Sequence, residues 1–147
     1  MGARSSGREA ALQMLFAIEA SGVAVDRALH DYWREFPGDP EGKNYAEAIV
    51  RGVLEAREAV DRRIAHASEH WRLERMTRVD RNVLRIGTWE LVCRPDVPRA
   101  VILDESVELA KTFGTDESGA FVNGVLAKVA DECGRSSEQE PSPGSGE

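Results

Sequence analysis

The sequence is poor in the features that mark secreted, membrane-spanning and disulfide-linked proteins. Its 147 residues include two cysteines, Cys93 and Cys133, which lie far apart and form no C-x-x-C pair. That spacing excludes a disulfide framework and a zinc site built on cysteine pairs. No apolar stretch approaches the length that spans a bilayer, and no apolar signal segment follows the N-terminus. We therefore expect a cytoplasmic protein with reduced thiols, in which Cys93 is a small buried side chain at the end of a helix.

Motifs for catalysis and for cofactor binding are also missing. The sequence has no phosphate-binding loop and no glycine-rich dinucleotide motif, Ser106 stands in no G-x-S-x-G turn, and His30 has no catalytic partner. Residues 66–70 do match the H-x-x-E-H string of inverzincin metallopeptidases. The peptidase fold around that motif is larger than this chain, so we interpret His66 and His70 as solvent-facing residues that interact with a helix C-terminus. We expect no enzymatic activity, no cofactor and no bound metal.

The alternating pattern of β-strands is absent, whereas apolar residues recur at helical spacing along most of the chain. Ser6 and Glu9 have the spacing of a capping box, which predicts a first helix that begins near Ser6 and ends at Gly22. Asp26 is placed to cap a second helix. Residues 42–68 carry one continuous apolar stripe and predict the longest helix of the chain. The predicted fold class is therefore all-α.

A central helix is predicted after a short helical turn at residues 71–75. Thr77 is placed to cap this helix, which should end before Pro95 because proline cannot continue it. Its apolar stripe consists of Val79, Val83, Ile86 and Trp89. The charged residues between them, which we expect to face water or a partner, are Arg78, Asp80, Arg81 and Arg85.

The last two helices are separated by a glycine. Gly114 closes the first of them, and we expect it to adopt the left-handed conformation that commonly ends helices. Asp116 or Ser118 begins the last helix, and either Phe121 or Val122 starts its inner side. Phe121 therefore either packs in the core or is exposed for stacking, and the periodicity alone leaves both interpretations open.

Charge is unevenly distributed along the chain. The formal net charge of −7 and the pI near 5.1 argue against a protein that coats nucleic acid non-specifically. Residues 51–85 nevertheless contain nine arginines against six acidic residues. Arginine suits bidentate contact with phosphate, although a codon preference for arginine and a solvated helix face explain most of these residues equally well. The nine are Arg51, Arg57, Arg62, Arg63, Arg72, Arg75, Arg78, Arg81 and Arg85.

Three sequence blocks in the last third of the chain have an order and spacing that resemble one family. They read DRNVLRIGTWEL at residues 80–91, LDESVELAKTFG at residues 103–114 and SGAFVNGVL at residues 118–126. Each block alone describes an ordinary amphipathic helix. Together they match the pattern DR-x-[IV]-LR-x-x-x-[WY]-E-L, a proline-marked turn, [ND]-E-x-[VI]-E-L-A-K-x-[FY]-G and F-V-N-G-[VI]-L. The chain is similar in this to the NusB family of bacterial transcription antitermination factors.

The resemblance implies a compact bundle of about seven helices that binds partners without catalysis. Members of the family pair with NusE, the free form of a small-subunit ribosomal protein, and the pair binds the boxA element of nascent RNA. The complex keeps RNA polymerase elongating through ribosomal RNA operons. By this resemblance, the RNA-binding residues are Arg4, Arg8, Glu117, Ser118 and Phe121. The residues that bind NusE are Phe16, Asp80 and Arg81.

A related interpretation is the NusB-like accessory domain found in ribosomal RNA cytosine methyltransferases, which would bind RNA without catalysis. A methyltransferase needs a further Rossmann-like domain and a catalytic cysteine motif, and neither follows Cys133. We expect a single NusB-like helical domain over residues 1–133. Residues 134–147 consist mainly of Ser, Gly, Pro and Glu, which predicts a disordered acidic tail.

Overall fold

The computed structural model describes residues 2–69 and 71–135, which form seven α-helices and one 3₁₀ turn without a β-strand among them. The all-α prediction is confirmed. The helices are α1 (Ala3–Ser21), α2 (Val25–Glu35), α3 (Pro40–Glu55), α4 (Arg57–Ala67), α5 (Arg78–Cys93), α6 (Arg99–Phe113) and α7 (Ser118–Glu132), and the 3₁₀ turn is Leu73–Arg75. None of the helices in this part of the chain is both long enough and apolar enough to cross a bilayer.

The chain divides into two compact units, Met1–Arg57 and Glu58–Glu147. In the first unit, α1 packs mainly against α3 and also contacts α2. In the second unit, α5, α6 and α7 pack against one another in pairs. The most deeply buried apolar side chains include Leu12, Leu15, Ile49 and Val53 of the first unit and Ile64, Leu84, Ile86, Ile102 and Leu126 of the second. That residues 1–133 form one domain remains a prediction.

The starts of α1 and α2 differ from the prediction, whereas the end of α1 agrees with it. Helix α1 begins at Ala3, so Ser6 lies inside the helix and the predicted capping box is wrong. Helix α2 has Ala24 as its N-cap, and Asp26 lies in the first turn instead of capping it. Neither helix has a side-chain cap, and such a start leaves little signal in the sequence. Gly22 does end α1 in the left-handed conformation, with φ of 73°.

The long helix predicted over residues 42–68 is in fact two helices, α3 and α4. Ala56 separates them with φ of −103° and ψ of 19°. Since neither proline nor glycine stands at this break, the apolar spacing runs through it and gives no warning. Helix α3 begins with a conventional cap: the Gly42 N–H donates to Oδ1 of Asp39 at 2.8 Å, and Pro40 follows the cap.

A glycine sets how closely α1 and α3 approach each other. A Cβ atom on Gly7 would stand 2.9 Å from the carbonyl oxygen of Gly42 and 3.2 Å from Cβ of Tyr45. It would also stand 3.3 Å from the backbone nitrogen of Ala46. Most of these atoms are backbone, so a larger residue at position 7 fits only if the two helices move apart.

The ends of α5 confirm the prediction. The Asp80 N–H donates to Oγ1 of Thr77 at 3.1 Å, and the helix ends at Cys93, before Pro95. The 3₁₀ turn also stands where the short helical turn is predicted. Cys93 itself is exposed, so the expectation of a buried thiol is wrong. The cysteine lies beyond the last buried residue of α5, where the neighbouring helices no longer cover the chain.

Helix α5 is buried over residues 82–91, and α6 and α7 both pack against it. The expectation that Arg85 faces water or a partner is therefore wrong. Its Nε donates to Oδ1 of Asp61 on α4 at 2.9 Å, and its Nη2 donates to Oδ2 at 3.1 Å. Its Nη1 donates to Oδ1 of Asn82 at 3.3 Å. These bonds satisfy the buried guanidinium, and the pattern along one helix cannot reveal a partner on another.

The connection between α6 and α7 has a glycine at position 114 because a larger residue would not fit there. Gly114 has φ of −104° and ψ of −152°, so the predicted left-handed conformation is wrong. A Cβ atom there would stand 2.5 Å from Oγ of Ser118 and 2.7 Å from the carbonyl oxygen of Ala110. Helix α7 begins at Ser118, one of the two predicted starts. Val122 is fully buried at its inner side, whereas Phe121 is half-buried.

The described chain ends in a closed turn after α7. Gly134 has φ of 86°, and the N–H of Arg135 donates to the carbonyl oxygen of Ala130 at 2.7 Å, a Schellman arrangement. Nη1 of Arg135 also donates to the carbonyl oxygen of Leu91 at 2.9 Å, which ties this end to α5. The rest of the predicted disordered tail, residues 136–147, lies outside the described residues.

Candidate nucleic-acid and protein interface

Two arginines predicted to contact RNA lie one turn apart at the start of α1. The Cζ atoms of Arg4 and Arg8 are 5.0 Å and 5.4 Å from the centroid of the Tyr45 ring on α3. Both distances are within the range of cation–π interactions. The first turn of α1 carries no acidic residue, so the two guanidinium groups add to the positive end of the helix dipole.

The two arginines differ in accessibility. Arg4 is exposed, whereas Arg8 is only 2% exposed. Its neighbour Gly7 brings α1 close to α3 at this point, so Arg8 is packed along Tyr45. Of the two predicted RNA contacts on α1, Arg4 is therefore the one with an exposed side chain.

At the start of α7, the three predicted RNA-binding residues also differ in availability. Oγ of Ser118 accepts a hydrogen bond from the Thr115 N–H at 2.9 Å, and Ser118 is 1% exposed. Ser118 therefore holds the turn that precedes the helix. Glu117, the N-cap residue, is exposed and makes no side-chain cap bond. Its carboxylate would repel a phosphate, so an anion here would contact the backbone N–H groups of the first turn.

Phe121 stands against an aromatic residue that lies outside every site predicted from the sequence. The ring centroids of Phe121 and Trp71 are 6.3 Å apart with an interplanar angle of 75°, an edge-to-face pair. Phe121 is half-buried and Trp71 is 56% exposed. Phe121 thus combines the two predicted possibilities, core packing and exposure for stacking. Its ring is partly packed, and it also borders an exposed indole. The sequence signal that could have revealed this exposed aromatic residue is that Trp71 lies outside every apolar stripe.

A second contact holds the segment around Trp71 against α7. Nζ of Lys128 donates a hydrogen bond to Oε2 of Glu69, and this bond raises the pKa of Lys128. Lys128 follows Phe121 by two helical turns, so both contacts lie on one side of α7. The backbone is bonded as well, because the Trp71 N–H donates to the Ser68 carbonyl at 2.7 Å. The single hydroxyl hydrogen of Ser68 is shared between the carbonyl oxygens of Ile64 at 2.7 Å and Trp71 at 3.1 Å.

The aromatic residue predicted to bind NusE is exposed. Phe16 is 38% exposed and Leu15 is 2% exposed, which confirms that a core-facing Leu15 turns Phe16 outward. A groove of about 210 Å³ lies between α1 and α2, and Phe16 is not among its lining residues. Its lining includes Gln13, Met14, Ala17, Ala28, Tyr32 and Phe36. The Tyr32 hydroxyl donates to Oε1 of Gln13 at 3.0 Å, and burial, with the nearby Glu9 charge, raises the pKa of Tyr32.

Asp80 and Arg81, the other residues predicted to bind NusE, have different environments. Nη1 of Arg81 donates to the carbonyl oxygens of Leu73 at 2.7 Å and Met76 at 3.0 Å, so it fastens the 3₁₀ turn to α5. Asp80 is half-exposed, and its Oδ1 is buried without a hydrogen-bond partner among the described residues. The residue as a whole is partly exposed, so its carboxylate can attract a cation that an approaching protein supplies.

The histidine pair gives no metal site among the residues that the structure describes. The side chain of His66 is 76% exposed, with Nδ1 lying 3.1 Å from Oε1 of Glu132. His70 lies outside the described residues. Within the described ranges, no group of three or more His, Cys, Asp and Glu side chains could hold a metal ion.

Comparison with known proteins shows to which family this chain belongs. The model of the NusB family matches residues 5–131. The chain belongs to the NusB family. The transcription antitermination protein NusB of Sorangium cellulosum is 66% identical over 135 residues, which cover 92% of this chain and 96% of that protein. The NusB of Myxococcus xanthus is 47% identical over 134 residues, which cover 88% and 96%.

Solved structures of the NusB family have the same fold. NusB of T. maritima is 36% identical with a TM-score of 0.83, covering 92% of this chain and 95% of that one. A chain from the complex of antitermination factors NusB and NusE with double-stranded RNA is 25% identical, with a TM-score of 0.82 and coverage of 90% and 98%. The resemblance drawn from three sequence blocks is confirmed.

Proposed function

We propose that this chain is a transcription antitermination factor that binds boxA RNA together with NusE. In this function it joins the antitermination complex of RNA polymerase in the cytoplasm and promotes processive transcription of ribosomal RNA operons. It acts by binding alone, without catalysis and without a cofactor.

The observation that carries this proposal is membership of the NusB family over nearly the whole chain. A structural relative in complex with NusE and double-stranded RNA supports both classes of partner. Residues with exposed surface fit these partners: Arg4 is an exposed cation, Phe16 is an exposed aromatic residue, and Asp80 is a partly exposed acidic residue. Aromatic anchors and charged residues are each typical of protein interfaces.

The alternative is an RNA-binding accessory domain related to those of ribosomal RNA cytosine methyltransferases. The named relatives are antitermination proteins of which this chain covers almost the entire length, which favours the first function. A native-gel titration of boxA RNA with and without NusE tests the choice. Antitermination predicts a ternary complex whose RNA affinity rises with NusE, whereas RNA binding that ignores NusE would contradict it.

The RNA contact on α1 can be tested through its salt dependence. Replacing Arg4 by alanine should weaken boxA binding and make the slope of log K against log salt shallower by about one unit, because one phosphate contact is lost. Fluorescence anisotropy at several salt concentrations measures the slope. Arg34→Ala is the matched control, since Arg34 is an exposed arginine on α2. An unchanged slope for Arg4→Ala would remove this contact from the proposal.

The partner contact on α5 can be tested by charge reversal. Asp80→Lys should lower NusE affinity by about 10-fold or more, roughly 1.4 kcal/mol, because it replaces an attraction with like-charge repulsion. Calorimetric titration with NusE measures the change, and Phe16→Ala tests the predicted aromatic anchor in the same assay. RNA binding by the isolated protein should not change.

The matched control for the charge reversal is Asp104→Lys. Asp104 is an exposed acidic residue on α6 in the same unit as Asp80, so Asp104→Lys changes the net charge by the same amount without touching either proposed contact. Wild-type NusE affinity in both Asp80→Lys and Phe16→Ala would rule out both contacts.

A further inference from the structure

A large aromatic side chain of the second unit is exposed although its segment is bonded to the rest of the unit. Trp71 is 56% exposed, and its backbone N–H donates to the Ser68 carbonyl at 2.7 Å. Phe121 supports the indole through the edge-to-face contact at 6.3 Å. Exposing a tryptophan forgoes the large hydrophobic gain that its burial would bring. An exposed indole whose ring packs against a neighbouring aromatic side chain is partly preorganised for a ligand, because that contact restricts its rotamers before binding.

The charges around Trp71 indicate which ligand this surface suits. Arg72 follows it as the N-cap residue of the 3₁₀ turn and Arg75 ends that turn; both are exposed, as is Glu74 between them. Within the described residues, neither guanidinium makes a hydrogen bond or an ion pair. Unpaired arginines next to an aromatic face are complementary to a chain that alternates bases with phosphates. An apolar protein segment would use the indole but would leave both cations without a partner.

We propose that Trp71, supported by Phe121, is a stacking platform for an unpaired RNA base, with Arg72 and Arg75 on the adjoining phosphates. This proposal rests on the RNA-binding function proposed above and adds residues to it. Because Phe121 lies at the start of α7, the platform connects the RNA contacts predicted on α7 to residues 71–75. No RNA contact was predicted for that segment. The two interpretations of Phe121 then become one: its ring packs against the indole and thereby positions the stacking face.

The test uses the full chain in the presence of NusE and a short single-stranded boxA RNA. Trp71→Ala should weaken RNA binding by about 5- to 150-fold, the range that corresponds to the loss of one stacked base. Trp71→Phe, which keeps an aromatic face, should retain most of the affinity. Val101→Ala is the matched control, because Val101 is a large apolar residue of the second unit that is 42% exposed and lies on α6, outside every proposed contact. Its RNA affinity should equal that of the wild type.

A series of RNAs with one abasic position at a time separates stacking from a structural effect. One abasic position should weaken binding to the wild-type chain and have no further effect on Trp71→Ala, because that base has already lost its partner. The proposal is overturned if Trp71→Ala binds RNA as the wild type does, or if it loses affinity for NusE alone. It is also overturned if every abasic RNA affects both proteins equally. Absence of RNA binding by the wild type with NusE would instead refute the proposed function, and the platform with it.

Discussion

Replacing Arg85 by alanine should destabilise the protein by about 3 kcal/mol, because it leaves the Asp61 carboxylate without its bidentate partner. The side chain of Arg85 is 7% exposed and that of Asp61 is 26% exposed, so water compensates only part of the loss. Asn82 loses a hydrogen bond at the same time. Urea unfolding followed by circular dichroism measures the free energy of unfolding, and the Tm should fall by about 10 °C.

Two further variants test whether a loss of stability in Arg85→Ala comes from breaking the buried ion pair. Arg27→Ala removes one partner of a surface pair whose side chains are 71% and 43% exposed, and it should cost less than about 0.5 kcal/mol. The double variant Arg85→Met with Asp61→Leu replaces both charges with apolar groups and should recover most of the lost stability. If Arg85→Ala cost no more than Arg27→Ala, the buried pair would not stabilise this fold.

Replacing Gly7 by valine should lower the free energy of unfolding by about 3 kcal/mol, because the added side chain meets backbone atoms of α3. The Cβ alone would stand 2.9 Å from the Gly42 carbonyl oxygen, and the methyl groups extend further. Helix propensity favours valine over glycine by a few tenths of a kcal/mol, so it does not offset the clash. Urea unfolding again measures the change.

Gly124 provides the matched control for this substitution. It lies in the interior of α7 and is exposed, and a Cβ atom added there would have no neighbouring atom within 4 Å. Gly124→Val should therefore leave stability within about 0.5 kcal/mol of the wild type. If Gly7→Val and Gly124→Val had equal effects, close packing of α1 on α3 would not be the reason for the glycine at position 7.

The sequence by itself determined the helical class, several helix ends and the family. Thr77 caps α5, Gly22 ends α1 and Pro95 follows the end of α5, each as predicted. These signals are local: a cap, a left-handed glycine and a proline act within one turn of the chain. The family blocks can be recognised for a similar reason, because their order and spacing are properties of the sequence and do not depend on tertiary contacts.

Only the tertiary structure decided which side chains the helices bury and which they leave exposed. Arg85 has the position of a solvated charge in the pattern of α5, yet Asp61 from another helix makes its burial possible. Cys93 continues an apolar run but lies where the neighbouring helices no longer cover α5. Trp71 is exposed although its residue type favours burial, and its ring contacts Phe121 from the distant helix α7. Helical periodicity reports the face of a single helix, whereas burial depends on what distant parts of the chain place against that face.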